Sequence, residues 1–185
     1  MLQDILDDTE LRMDGAVEKV SNDFSSIRTG RANPQLLQNI RVDYYGAPTP
    51  LQQLATFQVP EPRQLLVNPH DKSSVNDIEK AIRDSDLGLN PSNDGSTIRC
   101  IFPELTEERR REFIKLAKDY AEQGKVAVRN VRRSAKDAMQ KAVDDGEVGK
   151  DEHDREAKRL EEITAKHVAL IDKHLESKER DLLQV

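Results

Sequence analysis

Eight basic side chains between Leu105 and Lys141 are spaced so that, on an α-helix, they would share one side. At about 100° per residue they fall within a band of about 100°. They are Arg111, Lys115, Lys118, Lys125, Arg129, Arg132, Arg133 and Lys136, interrupted mainly by Glu122. Guanidinium and ammonium groups bind phosphate oxygens. The pattern therefore predicts a surface that binds a polyanion, in particular a nucleic acid.

The charge of this segment contrasts with that of the rest of the chain. Leu105–Lys141 contains eleven Lys or Arg and six Asp or Glu, which gives +5, whereas the 185-residue chain has a net charge of −6. The remaining residues therefore sum to −11. Acidic surfaces elsewhere would repel a phosphate backbone, so the segregation favours a single docking orientation.

The apolar residues of the same segment predict the face that packs into a core. They are Phe113, Ala117, Tyr120, Gly124, Ala127, Val131, Ala135, Ala138 and Ala142, spaced by threes and fours. On a helix this seam lies almost opposite the basic residues. Gly124 is unexpected there, because glycine costs about 1 kcal/mol relative to alanine within a helix.

No arrangement of residues indicates catalysis or a bound metal. The glycines form neither GxGxxG nor GxxxxGK, and no Ser, His and Asp stand in a known nucleophile motif. His167 and His174 would lie about 10 Å apart along a helix, too far to share a zinc ion. The acidic pairs Asp144–Asp145 and Glu161–Glu162 fit a loop and a solvated helix face. We expect a protein that is not an enzyme and has no cofactor or metal.

Periodicity predicts two further long helices that must position the basic one. The first has apolar residues spaced by threes and fours up to Gly30, a residue suited to a helix end. They are Leu2, Leu6, Thr9, Met13, Ala16, Val20, Phe24 and Ile27. The last has Leu160, Ile163, His167, Leu170 and His174, with Val168, Ile171, Leu175 and Leu182 on an adjoining row. A polar turn containing Gly146 and Gly149 predicts that the second and third helices are antiparallel.

The middle of the chain has a different pattern. All eight prolines lie between Gly30 and Glu104, among short runs typical of strands. The predicted strands are Ile40–Tyr45, Leu54–Val59, Arg63–Val67 and Thr97–Phe102, with turns at Gly46–Pro50, Pro60–Pro62 and Asn93–Gly95. A short helix with Ser74 as N-cap and Gly88 as its stop fits between them. The segment therefore predicts a small α+β domain.

Element order predicts an α+β protein of two domains. An elongated antiparallel three-helix bundle, residues 1–29 and 105–185, is interrupted by a small β/α/β domain, residues 30–104. The chain would cross the junction near 29–31 and near 103–105, so we predict hinges at Thr29, Gly30, Arg31, Pro103, Glu104 and Leu105. Thr106 would then cap the basic helix.

Composition limits the class of protein further. Charged residues make up 35% and aromatic residues 4%, without Trp, which predicts a thin aliphatic core. A single Cys100 excludes an internal disulfide. No run approaches the roughly 18 apolar residues of a membrane span, and no leader-like segment precedes the first helix. We expect a cytoplasmic monomer that does not bind membranes.

Several long motifs resemble the bacterial ribosome recycling factor family. They are SSIRTGRANP (Ser25–Pro34), VDYYGAPTPLQQLA (Val42–Ala55), the run from Ala81 to Pro91, LTEERRREFIKLAK (Leu105–Lys118) and KVAVRNVRR (Lys125–Arg133). The similarity covers the chain from end to end. Organelle members share these motifs, and the lack of a transit peptide favours a bacterial one.

The resemblance implies an L-shaped molecule like a tRNA, with two short hinges. It implies binding to the post-termination 70S ribosome and, with elongation factor G and GTP, its splitting into subunits with release of mRNA and tRNA. Large-subunit ribosomal RNA would contact the arginines of the RTGR and VRNVRR motifs. Here these are Arg28, Arg31, Arg129, Arg132 and Arg133, to which the basic side adds Lys136.

Two other classes of function stay open from the residues alone. A helical interaction protein, such as a chaperone-like coiled coil, would need an exposed apolar tip, whereas the loop from Asp144 to Asp154 is polar. A duplex DNA binder would need a short recognition helix or a basic tail. Co-sedimentation with vacant 70S ribosomes would separate the three.

Overall fold

The computed structural model describes residues 1–184. In this range the helices are α1 (Leu2–Ser25), α2 (Gln35–Gln38), α3 (Val75–Arg83), α4 (Glu107–Asp144) and α5 (Lys150–Leu183). The strands are β1 (Arg41–Tyr44), β2 (Ala47–Pro50), β3 (Ala55–Glu61), β4 (Gln64–Pro69), β5 (Ser92–Asn93) and β6 (Ile98–Ile101). Short 3₁₀ turns cover Leu51–Gln53 and Lys72–Ser74. No helix of this range combines the length and apolar character needed to cross a bilayer.

The chain forms two compact units. The bundle unit comprises Met1–Ile27 and Arg110–Gln184, and the insert unit comprises Arg28–Arg109. The predicted fold class, a long-helix bundle with an inserted β-sheet domain, is confirmed. The boundaries predicted after residues 29 and 104 stay predictions, because compactness does not show where a chain bends.

In the bundle unit, contacts between side chains fix the directions of the helices. Partners on α4 and α5 have opposite orders along the chain, as in Lys118–Glu179 and Arg132–Glu161, so these helices are antiparallel. Lys166 pairs with Glu10 and Arg159 with Gln3, so α5 is parallel to α1. One shared cluster of buried side chains joins the three: Leu2, Leu6, Ala135, Met139, Ala142 and Leu160.

The predicted core face of α1 is largely correct. Of its eight residues all are buried except Ala16, which is half-buried. The helix itself ends at Ser25, before the predicted stop. Gly30 nevertheless has a left-handed backbone, with φ of +78°.

The prediction of the α4 seam was wrong, because the buried side of the helix is rotated about the helix axis from the predicted set. The buried residues are Ala117, Ala121, Gly124, Val128, Ala135, Met139 and Ala142. At 100° per residue their centre is about 50° from the centre of the predicted set. Ala138, assigned to the seam, is exposed. The larger Val128 and Met139 decide the buried side, because they remove more apolar area from water than alanine does.

Helix α5 buries Glu156, Leu160, Thr164, His167, Ile171 and Leu182. His174, placed in its apolar pattern by the sequence, is exposed. The turn before α5 contains Gly146 at a φ of +74° and Gly149 as the N-cap residue.

The insert unit contains an antiparallel four-stranded sheet in the order β3-β4-β6-β5, and a separate β1-β2 hairpin. The four predicted strands are present. Strand β2 occupies a segment predicted as a turn, and β5 and α2 were missed. Pro60 lies within β3 and is tolerated because β3 is an edge strand, where a missing N–H breaks no inner ladder.

The core of the insert unit lies between its sheet, α3 and the hairpin. Its fully buried members include Leu65, Val67, Ile78, Ile98 and Cys100. Ser74 is the N-cap residue of α3, as predicted, but its side chain makes no capping hydrogen bond. Its hydroxyl donates to the Asp71 carbonyl at 2.7 Å, because Ser74 itself has helical backbone angles and is the last residue of a 3₁₀ turn that Asp71 caps.

Candidate nucleic-acid interface

The eight basic residues of α4, here called the basic stripe, flank the core seam instead of lying opposite it. With the seam of buried residues as reference, the centre of the stripe is about 100° around the helix. The prediction of an opposite face was wrong because the seam is rotated towards the stripe. The stripe therefore has an inner row beside α5 and an outer row towards solvent.

The inner row consists of Lys118, Lys125 and Arg132, and each of them pairs with an acid of α5. Lys118 Nζ lies 3.5 Å from Glu179 Oε1 and Lys125 Nζ lies 2.5 Å from Asp172 Oδ1. Arg132 NH1 donates to Glu161 Oε1 at 3.0 Å. Seven residues separate successive members on α4, which places them at the flanking positions of a coiled-coil seam.

Lys125 is the most enclosed member of this row. Its side chain is 14% exposed and also contacts Glu122 at 3.2 Å. The hydrogen bond to Asp172 raises the pKa of Lys125 above its ordinary value, against the lowering effect of burial. Its charge is thus offset within the bundle.

The outer row is exposed, and the side chains of four of its members have no hydrogen bond or ion pair with any residue from 1 to 184. They are Lys115, Arg129, Arg133 and Lys136. Their charges are available to a phosphate backbone without first breaking a protein contact. Arginine adds a planar fork that binds two phosphate oxygens and stacks on bases.

Of the predicted RNA-binding residues, Arg129, Arg132, Arg133 and Lys136 share one side of α4. Arg28 and Arg31 belong to the insert unit. Arg28 is half-buried and its NH1 donates to the Leu87 carbonyl at 3.2 Å. Its Nε and NH2 are buried without a hydrogen-bond partner in the described part of the chain. Arg31 is exposed, and its backbone N–H donates to Thr29 Oγ1 at 3.4 Å.

The predicted hinge residues also lie in the insert unit. A Cβ added at Gly30 would lie 3.6 Å from Leu105 Cγ, an ordinary contact. Glu104 pairs with Arg63 at 3.1 Å, and Pro103 is exposed. Thr106 Oγ1 accepts the Arg109 N–H at 3.2 Å, so the predicted cap of α4 is confirmed. Motion at Thr29–Arg31 and Pro103–Leu105 stays a prediction.

The acids of α5 were the residues that sequence reasoning missed. The sequence pattern places Glu161 in a solvated acidic pair, but its carboxylate contacts Arg132. The available signal was the seven-residue spacing of basic residues on α4, which predicts facing acids on an antiparallel neighbour.

The histidines do not form a site. His167 is fully buried, with Nδ1 2.6 Å from the Ile163 carbonyl and Nε2 2.8 Å from Asp14 Oδ1. Ile163 is in α5 and Asp14 is in α1, so the His167 ring links these two helices. Within residues 1–184 no three His, Cys, Asp or Glu side chains are grouped to hold a metal ion.

Comparison with known sequences gives consistent matches. The family model described as ribosome recycling factor matches residues 20–183. A ribosome-recycling factor of Cutibacterium acnes is 55% identical over 184 residues, covering 100% of both chains. One of Streptomyces coelicolor is 56% identical over 185 residues, again covering 100% of both.

Solved structures give the same result. A solution structure of the ribosome recycling factor matches with a TM-score of 0.79 and 41% identity, over 100% of this chain and 98% of the other. The T. thermophilus ribosome recycling factor, in models with E. coli elongation factor G bound to the E. coli post-termination complex, matches with a TM-score of 0.70. That match is 42% identical and covers 100% of both chains.

Proposed function

The chain belongs to the ribosome recycling factor family, and we infer that it acts with elongation factor G on the bacterial post-termination complex. It is a translation factor and not an enzyme. It therefore acts by binding the ribosome and promoting the separation of its subunits, in the cytoplasm where bacterial ribosomes function.

In this proposal the factor promotes splitting of the 70S ribosome into subunits, driven by elongation factor G and GTP, with release of mRNA and tRNA. The bundle unit holds the factor on large-subunit ribosomal RNA through α4. The insert unit is the part on which elongation factor G acts, and the segments at 29–31 and 103–105 let it move.

The observation that carries the RNA-binding part is the outer row of the basic stripe. Four of its cations are exposed and, on a chain whose net charge is −6, have side chains without partners among the described residues: Lys115, Arg129, Arg133 and Lys136. Phosphate neutralisation supplies much of the affinity for RNA. Arg129, Arg133 and Lys136 would supply phosphate contacts directly, while Arg28 and Arg31 would add contacts from the insert unit.

The test compares two lysines of one helix. Lys136 and Lys141 are both exposed on α4 and their side chains have no partner in the described range, but they lie about 140° apart around the helix. We expect Lys136→Ala to weaken co-sedimentation with large subunits and to flatten the log–log salt dependence by about one unit. Lys141→Ala should leave both nearly unchanged.

Arg133→Ala should weaken binding by about 1–3 kcal/mol. Equal effects of Lys136→Ala and Lys141→Ala would show that net charge, and not the stripe, determines binding. Wild-type protein that fails to co-migrate with vacant 70S ribosomes at moderate salt would refute the proposed function.

A further inference from the structure

We propose that Glu161 limits the affinity of α4 for RNA, because its carboxylate competes with RNA phosphate for Arg132. The proposal rests on the function proposed above. In this proposal an acid of α5 weakens RNA binding, whereas the basic stripe strengthens it.

The geometry of the pair supports competition. A single contact joins the two side chains, from Arg132 NH1 to Glu161 Oε1 at 3.0 Å. Arginine has five N–H donors, so the remaining ones stay available to a second anion. The side chains are 35% and 59% exposed, and water screens such a pair enough for a phosphate to replace the carboxylate.

Arg132 is the member of the inner row that lies next to the densest group of the outer row. It lies beside the outer-row residues Arg129, Arg133 and Lys136, which have no internal anion among residues 1–184. An RNA strand held by these residues brings a phosphate next to Arg132. At that point it meets the negative charge of Glu161.

The inner pair of Lys125 with Asp172 differs from this one. Lys125 is more enclosed, its contact to Asp172 is 2.5 Å, and Glu122 is a second acid at 3.2 Å. A lysine ammonium is a compact charge without a planar fork, so one close carboxylate neutralises it more completely. We therefore expect Lys125 to stay paired when RNA binds and Arg132 to exchange partners.

The test uses two adjacent glutamates. Glu161→Gln removes the competing charge and keeps an amide oxygen that can accept from Arg132. Glu162→Gln is the matched control, since Glu162 is exposed, follows Glu161 on α5 and has no hydrogen bond or ion pair with its side chain among residues 1–184. Both variants change the net charge by the same amount.

Binding is measured by co-sedimentation with vacant large ribosomal subunits across a salt series. We expect Glu161→Gln to bind about two- to tenfold more tightly, with a log–log salt slope steeper by about one. Glu162→Gln should change affinity less than about twofold, as expected for a distant charge in salt. Circular dichroism of both variants checks that the helices are retained.

A second arm repeats both changes in an Arg132→Ala background. If Glu161 acts through Arg132, Glu161→Gln should then have no more effect than Glu162→Gln. A gain that persists without Arg132, an equal gain from both glutamine variants, or weaker binding of Glu161→Gln would each overturn the inference. In these cases wild-type binding still supports the proposed function, whereas absence of wild-type binding refutes both.

Discussion

Gly124 lies where side chains of both α1 and α5 pack against the backbone of α4. A Cβ at this position would overlap with Val20 Cγ2 of α1 and lie 3.2 Å from Ile171 Cδ1 of α5. Valine is stiff about its first side-chain torsion and cannot turn away easily. The helix-propensity cost of this glycine is therefore offset by packing.

Gly124→Ala should destabilise the protein by about 1–2 kcal/mol, although alanine is the better helix former. Urea unfolding followed by far-UV circular dichroism measures this. Gly15→Ala is the control, because nothing lies within 4 Å of a Cβ there, and it should stabilise by up to about 1 kcal/mol. Adding Val20→Ala to Gly124→Ala should recover part of the loss. A Gly124→Ala protein more stable than wild type would contradict the packing argument.

Asp71 connects the β1-β2 hairpin of the insert unit to the 3₁₀ turn at Lys72–Ser74. Its carboxylate accepts from the Ser73 hydroxyl at 2.7 Å and the Ser73 N–H at 2.9 Å, and from the hydroxyls of Tyr44 and Tyr45 at 3.3 Å. The hydrogen bonds, first those from Ser73, lower the pKa of Asp71 below its ordinary value. Its charged form is thus favoured in the folded state.

An acid whose pKa is lowered by folding stabilises the folded state at pH values above its pKa in the unfolded state. This contribution is lost as the pH falls through its pKa in the folded state. We expect Asp71→Asn to be less stable than wild type at neutral pH, with the difference shrinking as pH falls below about 4. Urea unfolding monitored by tyrosine fluorescence at several pH values measures the difference. Asp43→Asn, which removes an exposed carboxylate of β1, is the control for the loss of one negative charge and should destabilise the protein less than Asp71→Asn at neutral pH. A difference that is constant across pH would contradict this role for Asp71.

The elements of the bundle could be predicted where large apolar residues mark one side of a helix. Leu2, Leu6, Met13 and Phe24 identify the buried side of α1 without ambiguity. On α4 the predicted seam depended on alanines, which are present on more than one side, and Val128 and Met139 were overlooked. The predicted seam was therefore displaced around the helix axis from the buried side.

The missed elements have physical reasons. Strand β2 contains Pro48 and Pro50, which favour a turn, but it pairs only with β1, opposite Asp43 and Arg41.

In the candidate site, the common side of Arg129, Arg133 and Lys136 was predictable from helix geometry. The contact of Arg132 with Glu161 could not be predicted in the same way, because it depends on the register between two helices far apart in sequence.

The segment after α1 can be tested at Gly30. Its φ of +78° is unfavourable for a β-branched residue, so Gly30→Val should cost about 1–2 kcal/mol, whereas Gly30→Asn should be tolerated better. We expect the Gly30→Val bundle to stay helical by circular dichroism. Recycling with elongation factor G should decline more than ribosome binding does. Equal losses of both would indicate that this segment is only structural.

The two units have separate cores, which allows one to be removed. The core of the insert unit draws on residues between Leu37 and Phe102, and the cluster that joins the long helices draws on none of them. Replacing Arg31–Glu104 with a short Gly/Ser linker should therefore leave a folded bundle. It keeps the whole basic stripe and should bind large subunits in a salt-sensitive way.

The same variant should fail to split ribosomes with elongation factor G, since the insert unit is absent. Light scattering of 70S ribosomes measures splitting, and sedimentation measures binding. Splitting at the full-length rate would contradict a role for the insert unit. An unfolded product would contradict the independence of the bundle.

The burial of Cys100 allows the opening of the insert unit to be measured by thiol labelling. Its thiol is fully buried in the core of the insert unit, and burial raises its pKa to about 11, so it reacts only after the sheet opens. Because it is the single cysteine of the chain, the rate of thiol labelling reports the opening of the insert unit while the bundle unit contributes no signal. Labelling of Cys100 in the presence and absence of ribosomes would therefore report the loosening of this unit during a recycling cycle without an engineered cysteine.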